Sequence, residues 1–243
     1  IITLNTEHHA VLDPLRQLKN EGFRVTELSP GSNGIISLAA LKDAFESDTF
    51  MVSIMMANNE IGVVQPISQI ASLCNKYGIT LHSDAAQACG YLPINLESLD
   101  IDFLSLSGHK IYGPKGIGAL IINNDKPLLP LQWGGGQENG LRPGTLPVPL
   151  IVGFVKAVEI AFLEREILTK KIKPLRDYLL QGLQENIPNL LVNGDMNRRL
   201  PNNLNFTILG VNGNKLHQTL RSKINCSSAS SCSNGAPSHV LKA

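Results

Sequence analysis

Ile79-Thr-Leu-His-Ser-Asp-Ala-Ala-Gln87 and Phe103-Leu-Ser-Leu-Ser-Gly-His-Lys110 are the two stretches that decide the fold. Each begins as a short apolar run and breaks off into small and polar residues, as a buried strand does where it enters a loop. Working outward, Thr49 to Ala57 and Gly116 to Ile122 read as further strands. Helical spacing is visible in Val11, Leu15 and Leu18, and again in Ile67, Ile70, Ala71 and Cys74. Strands alternating with helices are the signature of βαβ units, so the expected class is α/β, a mainly parallel sheet with helices on both faces. Ligands of such sheets gather beyond the carboxyl ends of the strands. Three of those ends are unusually polar: Ala57-Asn-Asn-Glu60, His82-Ser-Asp-Ala-Ala-Gln87 and Ser105-Leu-Ser-Gly-His-Lys110.

After the glycine-rich Gly134-Gly-Gly-Gln-Glu-Asn-Gly140 the pattern changes to long helices, expected over 150–163 and 174–183. These lead into a smaller α/β domain with a strand near Asn203 to Ile208, a helix from Lys215 to Ile224, and a serine-rich loop from Asn225 to Pro237. The expected division is a large domain over 1–165 and a small C-terminal domain over 166–243.

The 243 residues are 43% hydrophobic and 17% charged, enough apolar material for a sizeable core. Net charge is +1 with no basic stripe, which argues against a nucleic-acid or membrane surface and for a small molecule or protein as partner. The longest apolar runs, Gly118 to Ile122 and Pro149 to Val155, fall short of the roughly 20 residues a bilayer span needs. No signal peptide is read. The cysteines at 74, 89, 226 and 232 form no CxxC pair and no dense disulfide pattern, so a reducing, cytoplasmic setting is expected, and no metal site. The chain opens without Met and stops in what reads as a helix, as an excerpt lacking both ends would.

Lys110 follows a buried strand, where a site can fix its amine beside a carbonyl cofactor. Small and hydroxyl residues before it let backbone amides and Ser107 approach a phosphate. Asp84 ends the apolar run Ile79-Thr-Leu-His-Ser83 and, partly buried, needs a cationic partner. A protonated pyridine nitrogen would supply one and make the ring an electron sink. Taken singly, Lys110 reads sooner as a solvated loop lysine, and Asp84 as readily as a helix cap. The pair together reads as a site for pyridoxal 5'-phosphate.

Thr6-Glu-His-His-Ala-Val11, Asn58-Asn-Glu-Ile-Gly62, Asp84-Ala-Ala-Gln87 and Ser107-Gly-His-Lys-Ile-Tyr-Gly-Pro-Lys-Gly116 stand in this order along the chain. With Gly134-Gly-Gly-Gln-Glu138, Arg142-Pro-Gly-Thr145 and the serine-rich loop around Cys232, they resemble the cysteine desulfurases, pyridoxal-phosphate enzymes of the class-V aminotransferase family. The resemblance runs nearly end to end. It implies the aspartate aminotransferase-like transferase fold, with Lys110 as the Schiff-base lysine and Asp84 as the pyridinium partner. It further implies that His8 stacks on the ring and moves protons, that Asn59 and Gln87 hydrogen-bond the phenolic oxygen, and that Ser107 and His109 hold the phosphate. Thr145 would reach the phosphate of the neighbouring subunit, hence a homodimer with shared sites.

The implied reaction converts L-cysteine to L-alanine and leaves the sulfur as a persulfide on Cys232, for delivery to an iron–sulfur scaffold or tRNA-thiolation carrier. Cys74 and Cys89 read as inert thiols, the first on an apolar helix face and the second in a small-residue helix. Where the family usually has Ser-Ser-Gly-Ser-Ala-Cys, this chain has Ser227-Ser-Ala-Ser-Ser-Cys232, and the stretch to Pro237 is shorter. No residue is assigned to the substrate carboxylate, and Arg142 is not promoted to that role. The rival readings are a selenocysteine lyase on the same fold and a non-catalytic scaffold.

Overall fold

Six strands form the principal sheet in the order β2-β1-β3-β4-β5-β6: β1 (Ile2–Leu4), β2 (Thr26–Leu28), β3 (Met51–Ser53), β4 (Thr80–Asp84), β5 (Phe103–Ser107) and β6 (Gly118–Ile122). The computed structural model describes residues 1–123, 126–227 and 238–243. The first five strands pair in parallel and β6 runs antiparallel at one edge. A second sheet pairs β7 (Leu190–Val192) with β8 (Phe206–Ile208), antiparallel.

Register gives the two faces of the main sheet opposite characters. Ile2 pairs with Val52, Val52 with Leu81, and Ser83 with Leu104, so these point to one side. Thr3 pairs with Ser53, Ser53 with His82, and Asp84 with Ser105, on the other. The apolar side is covered by α2 (Leu38–Asp43) and α3 (Ile67–Lys76), whose Leu41, Ile67, Ile70, Ala71 and Cys74 join Ile2, Val52, Leu81 and Leu104 in one buried cluster. Each fully buried Leu or Ile there contributes roughly 1.5–3 kcal/mol. Hydroxyls and His82 on the polar side bond across strands: Thr3 Oγ1 donates to the Ser53 carbonyl at 2.8 Å.

The remaining helices are α1 (His9–Asn20), α4 (Leu96–Leu99), α5 (Val148–Asn186), α6 (Gly213–Leu220) and α7 (His239–Lys242). The two helices expected over 150–163 and 174–183 are a single helix, α5, with Pro174 inside it, and residue 165 lies within its length. A helix-interior proline forfeits one hydrogen bond at a cost of about 3 kcal/mol, which packing must offset. It is offset on both sides of Pro174: Phe154 and Ala157 pack on Ile111, and buried Arg176 donates to the Leu200 carbonyl at 3.1 Å. Among the described residues no helix is long and apolar enough to cross a membrane.

Candidate active site

Because β1, β3, β4 and β5 are adjacent and parallel, the segments leaving their carboxyl ends emerge side by side. They carry His8, Asn58 and Asn59, Asp84 and Gln87, and Ser107 to Lys110. Sequence-distant residues are thereby gathered at one rim of the sheet.

His8 caps α1, its Nδ1 accepting from the Ala10 amide at 3.1 Å. Burial holds its pKa below the ordinary histidine value; the Asp84 charge pulls upward, while His9, Lys110 and His239 push downward. The imidazole is thus neutral at neutral pH and within electrostatic reach of both Asp84 and Lys110. Asp84 is half-buried at the last position of β4, its Oδ1 accepting from the Ala86 amide at 2.8 Å. Gln87 is half-buried in the turn that follows.

Lys110 stands on a single 3-10 turn, Gly108–Ile111, directly after β5. Two contacts set that turn. Ile111 is anchored against Phe154 and Ala157, and Gly108 packs so closely that a Cβ there would meet Ile117 Cγ2 at 2.9 Å. Ser107 Oγ lies 3.0 Å from His109 Nδ1, so the two expected phosphate ligands are hydrogen-bonded together. The Lys110 and His109 side chains are exposed.

The Asn58 turn is built from the buried asparagine itself. Its Oδ1 accepts from the amides of Glu60 (2.8 Å) and Ile61 (2.9 Å), and its Nδ2 donates to the Thr6 carbonyl at 2.9 Å. It thereby ties the turn to the segment carrying His8 and presents half-buried Asn59 at the rim. Thr145 is exposed in the loop before α5 and does not join the strand-end group. Cys232 lies outside the described residues. The first residue described after it, Ser238, is docked here: its hydroxyl donates to Glu60 Oε2 at 2.5 Å, and His239 Nε2 donates to the Glu7 carbonyl at 2.9 Å.

Glu7 and His82 were assigned no role from the sequence. Glu7, fully buried, accepts from the Met55 amide at 2.7 Å. Asn58 does the structural work of its turn. His82 bridges β3 and β5, with Nδ1 2.8 Å from Ser53 Oγ and Nε2 2.9 Å from Ser105 Oγ. The signal for His82 was present, since i and i+2 on a strand share a face and Asp84 is two residues on; nothing in hydropathy marks Glu7 as buried. Cys74 is buried, its thiol pushed up to about 12 by desolvation. Cys89 sits half-buried in a turn rather than a helix, its thiol also raised by burial. Among the described residues no cluster of His, Cys, Asp and Glu could hold a metal ion.

A mainly parallel sheet with helices packed on it, and with a lysine, a carboxylate and a histidine brought to its strand ends, defines a protein of the α/β class. The sequence pattern of the class-V aminotransferases matches residues 1–243, and the chain belongs to that family. It is 47% identical over 247 residues to a probable mitochondrial cysteine desulfurase of Dictyostelium discoideum, with all of this chain and 54% of that protein covered. It is 49% identical over 248 residues to the cysteine desulfurase IscS of Histophilus somni, again with all of this chain and 61% of that protein covered. Among solved structures, a NifS-like protein superposes with a TM-score of 0.87 at 38% identity, covering 91% of this chain and 60% of that one. SspA in complex with cysteine superposes with a TM-score of 0.82 at 36% identity, covering 99% and 67%. The chain thus spans a little over half the length of these curated relatives.

Proposed function

We propose that this chain is part of a pyridoxal-phosphate-dependent cysteine desulfurase, which converts L-cysteine to L-alanine and passes the sulfur on as a persulfide. The observation that carries the reading is that His8, Asp84 and Lys110 all stand where the mutually parallel strands β1, β4 and β5 end, at one rim of the sheet. The donor set fits the cofactor: an amine for its aldehyde, a carboxylate for its ring nitrogen, an aromatic ring to stack, and a hydroxyl bonded to an imidazole for its phosphate. When bound, pyridoxal phosphate supplies an electron sink for bond cleavage next to the substrate amine.

In this reading Lys110 holds the cofactor covalently and afterwards moves protons at the substrate carbon. Asp84 keeps the ring nitrogen protonated, and His8, neutral, can accept or return a proton at its Nε2, its Nδ1 being committed to the Ala10 amide. Asn59 and Gln87 orient the ring oxygen, and Ser107 and His109 hold the phosphate. The Cys232 thiolate attacks the substrate sulfur. One S–S bond forms, the substrate C–S bond breaks, and a proton returned to carbon completes alanine. Ser238 supports this role because its docking on Glu60 leaves six residues to Cys232, a reach of up to about 20 Å.

Exposed Lys110, His109 and Thr145 leave one side of the cofactor position open, which the rest of the enzyme and a second subunit would cover, Thr145 reaching the neighbour's phosphate. The sulfur acceptor would be an iron–sulfur scaffold or a thiolation carrier. A reducing compartment such as the cytoplasm suits the free cysteines 74, 89 and 226, while the Dictyostelium relative is described as mitochondrial.

The test uses the full-length enzyme. It should be yellow after reconstitution with pyridoxal phosphate, and Lys110→Ala should remove the colour that borohydride bleaches. Cys232→Ser should keep the colour and lose sulfide release from cysteine. A wild-type protein that stays colourless overturns the reading; a coloured Cys232→Ser with full turnover overturns the assignment of the nucleophile. Running cysteine against selenocysteine separates the desulfurase from the lyase.

A further inference from the structure

Glu7 sits between the end of β1 and His8 and is fully buried. Its Oε1 accepts from the Met55 amide, and its Oε2, also buried, meets no hydrogen-bond partner among the described residues. Among the described residues no Lys or Arg pairs with it, and the charge acting on it is that of Asp84, a like charge. An ionised carboxylate with one donor, an orphaned oxygen and an anionic neighbour is among the costliest groups to bury.

We propose that Glu7 is held as the neutral carboxylic acid and that in this form it positions His8 and leaves Asp84 as the only anion at the cofactor's ring nitrogen. The proposal rests on the pyridoxal-phosphate reading above. Its positional half follows from how the peptide before His8 is held. The Glu7 amide donates to the Leu4 carbonyl at 3.2 Å, its carbonyl accepts from His239 Nε2, and its side chain is tied to the Met55 amide beyond β3. Three separate elements thus fix the residue preceding the α1 cap.

The electrostatic half follows from the groups around it. Asp84 faces it from β4, His8 and His9 follow it in the chain, His239 approaches from α7, and the segment after β3 offers only an amide. Burial pushes the Glu7 carboxyl up to about 8, Asp84 adds to the push, and the Met55 amide opposes it. Near neutral pH Glu7 therefore adds no second carboxylate charge beside Asp84. Above about pH 8 a second would appear beside Asp84 and change the field at His8 and at the ring nitrogen.

The experiment compares wild type, Glu7→Gln and Glu7→Ala in the full-length enzyme, apo and reconstituted. Gln reproduces the neutral acid, an acceptor for Met55 and a donor at the second position. In apo protein, the folding equilibrium constant of wild type relative to Glu7→Gln should fall by up to tenfold per pH unit between about pH 5 and pH 8, then level off. In reconstituted protein, Glu7→Gln should bind pyridoxal phosphate within about threefold of wild type at pH 7 and keep a pH-independent colour from pH 7 to 9, where wild type changes. A wild-type to Glu7→Gln ratio that is constant with pH overturns the neutral acid. Glu7→Gln losing cofactor affinity as severely as Glu7→Ala overturns its positioning role. If wild type itself takes up no cofactor, the function reading fails while the apo measurement still decides the ionisation of Glu7; should Glu7→Ala not fold, the Gln comparison stands alone.

Discussion

His239 Nε2 lies 2.9 Å from the carbonyl oxygen of Glu7, joining residues 232 positions apart. The acceptor is a backbone carbonyl, so the imidazole must donate, which fixes its Nε2–H tautomer when neutral. The ring also packs on His9 with centroids 5.0 Å apart, and Ser238 beside it bonds Glu60. The short α7 is therefore held by its first turn against the rim that carries His8. His239→Ala should cost about 1–2 kcal/mol and lower hydrogen-exchange protection of the Leu241 and Ala243 amides, which donate to Ser238 Oγ and the His239 carbonyl, about tenfold. Protection in β3 to β5 should not change. Equal loss across the sheet would mean that the contact is part of the global core and not a local anchor.

His82 makes a second testable bridge, spanning β3, β4 and β5 on the face that carries Asp84. Both ring nitrogens meet serine hydroxyls, which can donate to one and accept from the other, so the neutral ring is fully satisfied. Burial lowers its pKa, with the Asp84 charge working in the opposite direction. A folded pKa below the unfolded value means that the unfolded chain binds the proton first as pH falls. Stability from this group is present above about pH 6.5 and is lost on acidification from there toward the folded value. His82→Ala should cost about 2–4 kcal/mol at pH 7.5 by leaving two hydroxyls unpaired around a cavity, and should flatten the acid limb of the stability curve. Denaturant melts between pH 5 and 8 measure both; an unchanged acid limb would assign that limb to other groups.

The legible parts of the sequence were those where periodicity and burial coincide. Phe103 to Ser107 was read at its observed bounds, and every apolar residue named on α3 is buried. β1, β2 and β7, three residues each, escaped notice, whereas the equally short β3 and β8 fell inside longer stretches that read as strands. Pro174 split α5 on paper, since a local rule cannot see that Arg176 and Phe154 hold the helix together through residues elsewhere in the chain. At the site, Lys110 and Asp84 were read as strand-end polar residues and His8 through the family resemblance. Glu7 and His82 were given no role, because what makes them notable is burial and partners 23 to 48 positions away, information the local pattern does not contain.

Gly62 carries the last prediction, at the turn that joins the sheet's rim to the C-terminal part of the chain. Its φ is +68°, a region an L side chain enters only with strain, and a Cβ there would meet Asn203 Cγ at 2.4 Å. The asparagine cannot simply swing aside, because its Nδ2 donates to the Glu60 carbonyl at 2.9 Å and its Oδ1 accepts from Arg199 at 3.3 Å. Asn205 Nδ2 reaches the same Glu60 carbonyl at 3.1 Å, and the Leu200 amide donates to the Gly62 carbonyl at 2.9 Å. Gly62→Ala therefore combines positive-φ strain with displacement of a bonded side chain, and should destabilise by about 2–4 kcal/mol. Adding Asn203→Gly to Gly62→Ala removes the clash but not the backbone strain. The double variant should recover part of the loss despite forfeiting the Asn203 hydrogen bonds, as denaturant midpoints of the two single variants and the double will measure. Strict additivity of the two losses would show that the side chains never meet and that the strain lies in the backbone alone.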